Sequence, residues 1–135
     1  MHEAEVEITI PFHDVDMMAI AWHGHYVKYF ELARCVLFDK IDYNYVQMKE
    51  SGYGWPVIDL RIRYPGPTTF NQKVIVKAAI IEWENRLKIN YEIRDRKTNK
   101  RLTKGYTVQV AVHMATREMC LESPPVLFEK LGLQP

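Results

Sequence analysis

The chain carries almost no net charge, only two cysteines and no long apolar run. Eighteen Lys and Arg stand against 17 Asp and Glu, a net charge of +1. A protein that works chiefly on nucleic acid needs a basic excess, so no nucleic-acid partner is expected. Cys35 and Cys120 are far apart and fit no metal or redox spacing. Both are read as reduced thiols, which suits a cytoplasmic protein. No apolar stretch is long enough to cross a bilayer, and Met1 to Glu7 is acidic. Neither a membrane span nor a signal peptide is therefore expected. Repeats, linkers and low-complexity segments are missing too. What remains is 135 residues, 47% apolar and 26% charged, the size and balance of a single domain over residues 1–135.

The apolar residues that are present fall into clear periods. Val6, Ile8 and Ile10 alternate with Glu5, Glu7 and Thr9, a strand that Pro11 ends. Residues 26–38 have helical length and contain neither proline nor glycine. Only Lys28, Glu31 and Arg34 interrupt the apolar residues there, on a narrow arc, which predicts a helix buried nearly all round. A shorter helix is expected over residues 43–50, ending at Ser51-Gly52. Alternation then predicts strands over residues 58–64, 74–80, 87–93 and 108–114, with a C-terminal helix over residues 126–131 after Pro124-Pro125.

These strands have one apolar and one polar face, as in an antiparallel sheet covered on one side. One long apolar helix is available to cover it. The economical α+β arrangement is the hotdog fold: a curved antiparallel sheet of about five strands wrapped around a central helix, in the order β-α-β-β-β-β. One such sheet leaves its edges open, so a homodimer or a homotetramer is expected.

The chemistry-bearing residues concentrate between the first strand and the long helix. His13-Asp14-Val15-Asp16-Met17-Met18-Ala19-Ile20-Ala21-Trp22-His23-Gly24-His25-Tyr26 places two carboxylates and three of the five histidines in one loop. Asp16 is too early to cap a helix that begins near Gly24. Asp14 reads as structural, His13 as loop structure and His25 as a polar residue at the helix start. The His and Asp side chains are metal-ligand types, but their spacing matches no helical metal signature, and no metal or other cofactor is expected.

The residues from Asp16 to Tyr26 resemble those of the 4-hydroxybenzoyl-CoA thioesterase family of hotdog acyl-CoA thioesterases. Asp16 matches the family's catalytic aspartate, and Ile20-Ala21-Trp22 its apolar run. His23 matches the position whose backbone N–H polarises the thioester carbonyl, and Tyr26 matches the tyrosine that opens the helix. Tyr29-Phe30-Glu31-Leu32-Ala33-Arg34 is similar to the helix signature, and Arg63-Tyr64-Pro65-Gly66-Pro67 to a tyrosine-containing turn. Ile81-Glu82-Trp83 resembles the aromatic acyl-CoA branch. The likeness covers about residues 5 to 115. Ala19 stands where the family carries glycine. Of the basic triplet after the Glu-Trp pair only Arg86 remains, in Glu84-Asn85-Arg86.

The resemblance implies an acyl-CoA substrate. Hydrolysing its thioester needs an oxygen nucleophile and a site for the developing oxyanion, since the thiolate leaves readily. Asp16 is expected as nucleophile or general base. Backbone N–H groups at His23 and Gly24, at a helix N-terminus, are expected to hold the oxyanion. Tyr26, Met17, Trp55 and Val57 are candidates for the acyl pocket, and Arg86 for a CoA phosphate. In the family the aspartate and the helix end of one site often come from different subunits. Two other readings share the fold: an acyl or acyl-carrier binding module without catalysis, and an enoyl-CoA hydratase or dehydratase.

Overall fold

The computed structural model describes residues 2–22, 24–64 and 66–134. Five strands form one antiparallel sheet: β1 (Glu3–Thr9), β3 (Val57–Arg63), β4 (Lys73–Glu82), β5 (Leu87–Asp95) and β6 (Arg101–Gln109). Their spatial order is β1-β4-β5-β6-β3. The expected alternation is realised directly. Val74, Val76, Ala78 and Ile80 of β4, with Leu87, Ile89, Tyr91 and Ile93 of β5, are buried on one face. Three register shifts, at Val57/Asp59, Ile80/Glu82 and Ile93/Arg94, bend and twist the sheet locally.

The long helix α1 (His25–Lys40) crosses this apolar face. Tyr26, Tyr29, Phe30, Ala33 and Leu37 are buried at three- and four-residue spacing, and the Phe30 ring stacks on Tyr91 at 4.6 Å. Gly105 is required opposite Phe30, because a Cβ there would lie 2.9 Å from its ring and 2.3 Å from the Arg61 carbonyl oxygen. Burial all round is not what the structure shows. Leu32 is 45% exposed and Val36 37%, and Cys35 is exposed as well. The reason is position: α1 lies against β1 and β4, so it leaves one flank, and the inner side of β3, uncovered. Ile58 and Leu60 of β3 are exposed.

The short helix α2 (Tyr45–Ser51) begins with a reciprocal capping box between Asn44 and Gln47 and ends at Gly52, with φ 86°. The expected last strand is divided. Its first residues belong to the end of β6, while β7 (Val112–His113) pairs with β2 (Tyr53–Gly54) in a separate two-stranded ladder. The C-terminal helix α3 (Pro125–Leu131) buries Leu127, Phe128 and Leu131. Among the described residues, no helix is long and apolar enough to cross a membrane.

Candidate active site

The loop between β1 and α1 is a tight hairpin tied to itself and to the β3–β4 connection. Val15 bridges Ala21, and Ile20 bridges Thr69 in the β3–β4 connection. Asp16 N–H donates to Ile20 O at 3.0 Å, and Ala19 N–H to Asp16 O at 2.9 Å. This turn holds Ala19 at φ 60°, the left-handed conformation that glycine takes without strain. Met17 and Met18 stand exposed at its tip.

The two aspartates of the loop have opposite surroundings. Asp14 is 1% exposed. Lys28 Nζ lies 2.7 Å from both of its oxygens, and the Tyr29 hydroxyl donates to Oδ2 at 2.7 Å. His13 Nε2 and His25 Nδ1 are 3.6 and 3.7 Å away. Burial pushes the Asp14 pKa up, but the hydrogen bonds from Lys28 and Tyr29 prevail and hold it below the ordinary carboxylate value. Its backbone carbonyl also accepts from Trp22 N–H at 3.1 Å. Asp14 therefore fastens the hairpin to the first turn of α1. Asp16, by contrast, is exposed. Its Oδ1 accepts Met18 N–H at 2.8 Å and Ile20 N–H at 3.4 Å, while Oδ2 has no hydrogen-bond partner among the described residues.

Asp16 lines a cavity of about 400 Å³ with Ile20, Ala21, Trp22, Tyr26, Tyr64, Gly66 and Pro67. Tyr26 is buried, and its hydroxyl accepts Thr68 N–H at 3.2 Å and Thr68 Oγ1–H at 3.1 Å. The rings of Tyr26 and Tyr64 lie 4.9 Å apart. Gly24 caps α1, and its N–H has no partner among the described residues. A Cβ at Gly24 would lie 2.1 Å from the Trp22 ring, so the indole rests directly on the helix start. His23, the other expected oxyanion position, lies outside the described residues, as does Pro65.

The remaining expected site residues are elsewhere in the chain. Met17, at the turn tip, is not in the cavity wall. Trp55 is 7% exposed and lines a second, largely apolar cavity of about 740 Å³ with Phe38, Tyr45, Met48, Tyr53 and Met114. Its Nε1–H donates to the Tyr43 hydroxyl at 3.1 Å, and its carbonyl accepts Gln109 Nε2–H at 2.7 Å. Val57 starts β3 beside that cavity and is 42% exposed. Arg86, in the β4–β5 turn, pairs with Glu82 at 2.7 Å. The grip of Lys28 and Tyr29 on Asp14 was not foreseen. The only sequence signal was a lysine interrupting an otherwise apolar helix. No group of three His, Cys, Asp or Glu among the described residues is placed to hold a metal ion.

Comparison with known proteins gives these residues a setting. A family model described as the thioesterase-like superfamily matches residues 10–131. YneP of Bacillus subtilis (strain 168), a candidate acyl-CoA thioesterase, is 28% identical over 83 residues, which span 62% of this chain and 60% of that protein. The DHNA-CoA thioesterase of Staphylococcus aureus superposes with a TM-score of 0.80 at 28% identity, over 90% of this chain and 81% of that one. Slr0204, a 1,4-dihydroxy-2-naphthoyl-CoA thioesterase from Synechocystis, shares the fold with a TM-score of 0.85 at 14% identity, over 96% of each chain.

Proposed function

The chain belongs to the thioesterase-like superfamily, and we propose that it hydrolyses the thioester bond of an acyl-CoA at the cavity walled by Asp16, Trp22, Tyr26 and Tyr64. One observation carries the reading. The hairpin fixes one oxygen of Asp16 with backbone N–H groups and leaves the other without a partner among the described residues, on the wall of a cavity that the start of α1 also lines. That arrangement suits a carboxylate that attacks the carbonyl or activates a water. Gly24 N–H, at the positive end of α1, would receive the oxyanion, together with the N–H of His23.

The acyl group would be held by Trp55, Val57 and Met17, with Arg86 on a CoA phosphate, in a site shared between two copies. The geometry of β3 supports this. It is an edge strand with exposed apolar residues, and Tyr64 follows its end as Trp55 precedes its start. Two copies of β3 paired antiparallel about a twofold axis set the start of one beside the end of the other. The Asp16 cavity of one protomer then meets Trp55, Val57 and Arg86 of the second copy, and uncovered Leu32 and Val36 gain a neighbour. The relatives' names include hydroxylated aromatic acyl-CoAs, and an aromatic-lined second cavity is compatible with such groups.

The test is thiol release from a panel of aromatic, short and branched acyl-CoAs by the wild type and Asp16→Asn. Removing a group that acts in the transition state should lower kcat by roughly 10²- to 10⁴-fold for the best substrate, with little change in Tm. Equal rates for the two proteins would remove Asp16 from the chemistry. Tight acyl-CoA binding with no thiol release from any substrate would make the protein a binding module instead.

A further inference from the structure

Two hydrogen-bonding groups in the wall of the Asp16 cavity are incompletely matched, and they are opposite in kind. A tyrosine hydroxyl has one proton to donate and two lone pairs that accept. Tyr26 accepts twice from Thr68, from its N–H at 3.2 Å and its Oγ1–H at 3.1 Å. Its own proton has no acceptor among the described residues. Tyr26 is only 2% exposed, and a buried donor without an acceptor is costly. Asp16 shows the converse: Oδ1 accepts from Met18 and Ile20, and Oδ2 accepts from no described residue. One cavity wall thus carries an unmatched donor and an unmatched acceptor. The same stretch of backbone holds both. Thr68 is fully buried, and its carbonyl accepts Ala21 N–H at 2.8 Å. Ile20, the preceding residue, bridges Thr69 and donates its N–H to Asp16. Pairing of the hairpin with the β3–β4 connection therefore sets the hydroxyl relative to the carboxylate.

The unlike pair identifies its occupant. A thioester group accepts hydrogen bonds but has none to donate, so it leaves Asp16 Oδ2 unmatched. A water molecule does both. It donates one proton to Oδ2 and accepts the Tyr26 proton on one lone pair, and its second lone pair remains for attack. We propose that Tyr26 is a further catalytic residue, whose hydroxyl holds the hydrolytic water against Asp16. This inference rests on the thioesterase reading and selects general base from the two roles open to Asp16. Oδ2 takes one proton as the water oxygen bonds to the carbonyl carbon, and the carbonyl electron pair moves onto its oxygen at the start of α1. That pair then returns, the C–S bond breaks with its electrons on sulfur, and Asp16 passes the proton to the thiolate. A carboxylic acid and a thiol result, and Tyr26 keeps its proton throughout.

Tyr26→Phe keeps the ring and deletes the proton. For the best substrate of the acyl-CoA panel it should lower kcat about 10- to 100-fold and change KM by less than about threefold. Hydroxylamine separates this from a structural effect, because it attacks thioesters without first losing a proton to a base. Acyl hydroxamate formation should therefore fall by less than about threefold in the variant. Equal losses of hydrolysis and hydroxamate formation would make Tyr26 a packing residue and overturn the proposal, as would an unchanged kcat. A single turnover of wild type in heavy-oxygen water should label the released acid and leave Asp16 unlabelled. Label in Asp16 would mark direct attack and overturn the general-base step. If Tyr26→Phe does not fold, Thr68→Val takes its place. It removes one of the two donors that orient the hydroxyl, and should cost about three- to tenfold in kcat with the same sparing of hydroxamate formation. A wild type that releases no thiol from any acyl-CoA ends the thioesterase reading and this proposal with it. A wild type that releases thiol alongside any of the overturning results ends this proposal alone.

Discussion

The two ends of α1 are held by opposite means. At its start a buried carboxylate, Asp14, gathers Lys28, Tyr29 and the backbone of Trp22. At its end Leu37, Phe38, Tyr43, Met48 and Trp55 are packed in an apolar cluster whose polar edge is the Trp55–Tyr43–Ser51 hydrogen-bond chain. Directional bonds fix angles and distances, which the chemistry proposed for Asp16, two residues away, requires. Apolar packing fixes volume, which suits the acyl recognition proposed for that end. One helix thus carries a precise end and an accommodating end.

That contrast can be broken from either side. The largest effect on stability is expected at the apolar end. Trp55→Ala should cost about 3–5 kcal/mol in chemical denaturation, by removing a buried indole. It should also widen acyl-chain preference in any variant that still folds. At the polar end, Asp14→Ala should cost about 2–3 kcal/mol, chiefly by leaving the Tyr29 hydroxyl buried without an acceptor, and should lower kcat without changing the acyl preference. The pH dependence sharpens this. The Asp14 pKa is depressed in the folded state, so its contribution is full above the unfolded value of about 3.9 and is lost as pH falls through the folded value. Thermal melts of the wild type should therefore drop more steeply than those of Asp14→Asn below about pH 4. The smallest effect belongs to the turn that follows Asp16. Ala19→Gly relieves a left-handed alanine but loosens the unfolded chain, so it should change stability by less than about 1 kcal/mol.

Periodicity made much of this legible. Strands β1, β3, β4 and β5 stand where apolar and polar residues alternate, and α1 lies within one residue at its start of the expected span. β6 escaped except at its last two residues, Val108 and Gln109, because Arg101, Thr103, Lys104 and Gly105 give no apolar alternation. Thr103 and Thr107 are nevertheless buried facing α1. The two-residue strands β2 and β7 are too short for any period. Asp16 was singled out through the spacing to Tyr26 and the resemblance it supports, and the structure sets it on a cavity wall. Asp14 was read as structural, yet its partner Lys28 is 14 residues away and only the folded hairpin brings them together. The uncovered flank of α1 was hidden for a similar reason: periodicity reports which residues are apolar, and the sheet's reach decides which are covered.

Strand β3 has a last consequence, for solubility. Its sequence, Val57-Ile58-Asp59-Leu60-Arg61-Ile62-Arg63, puts an edge with exposed apolar positions at the margin of the sheet. Such an edge can template unwanted strand addition. The charges at every second position act as gatekeepers, making indiscriminate stacking of this strand costly while leaving its backbone free to pair with a matched partner. The residues that break its apolar run thereby guard the folded chain against aggregation.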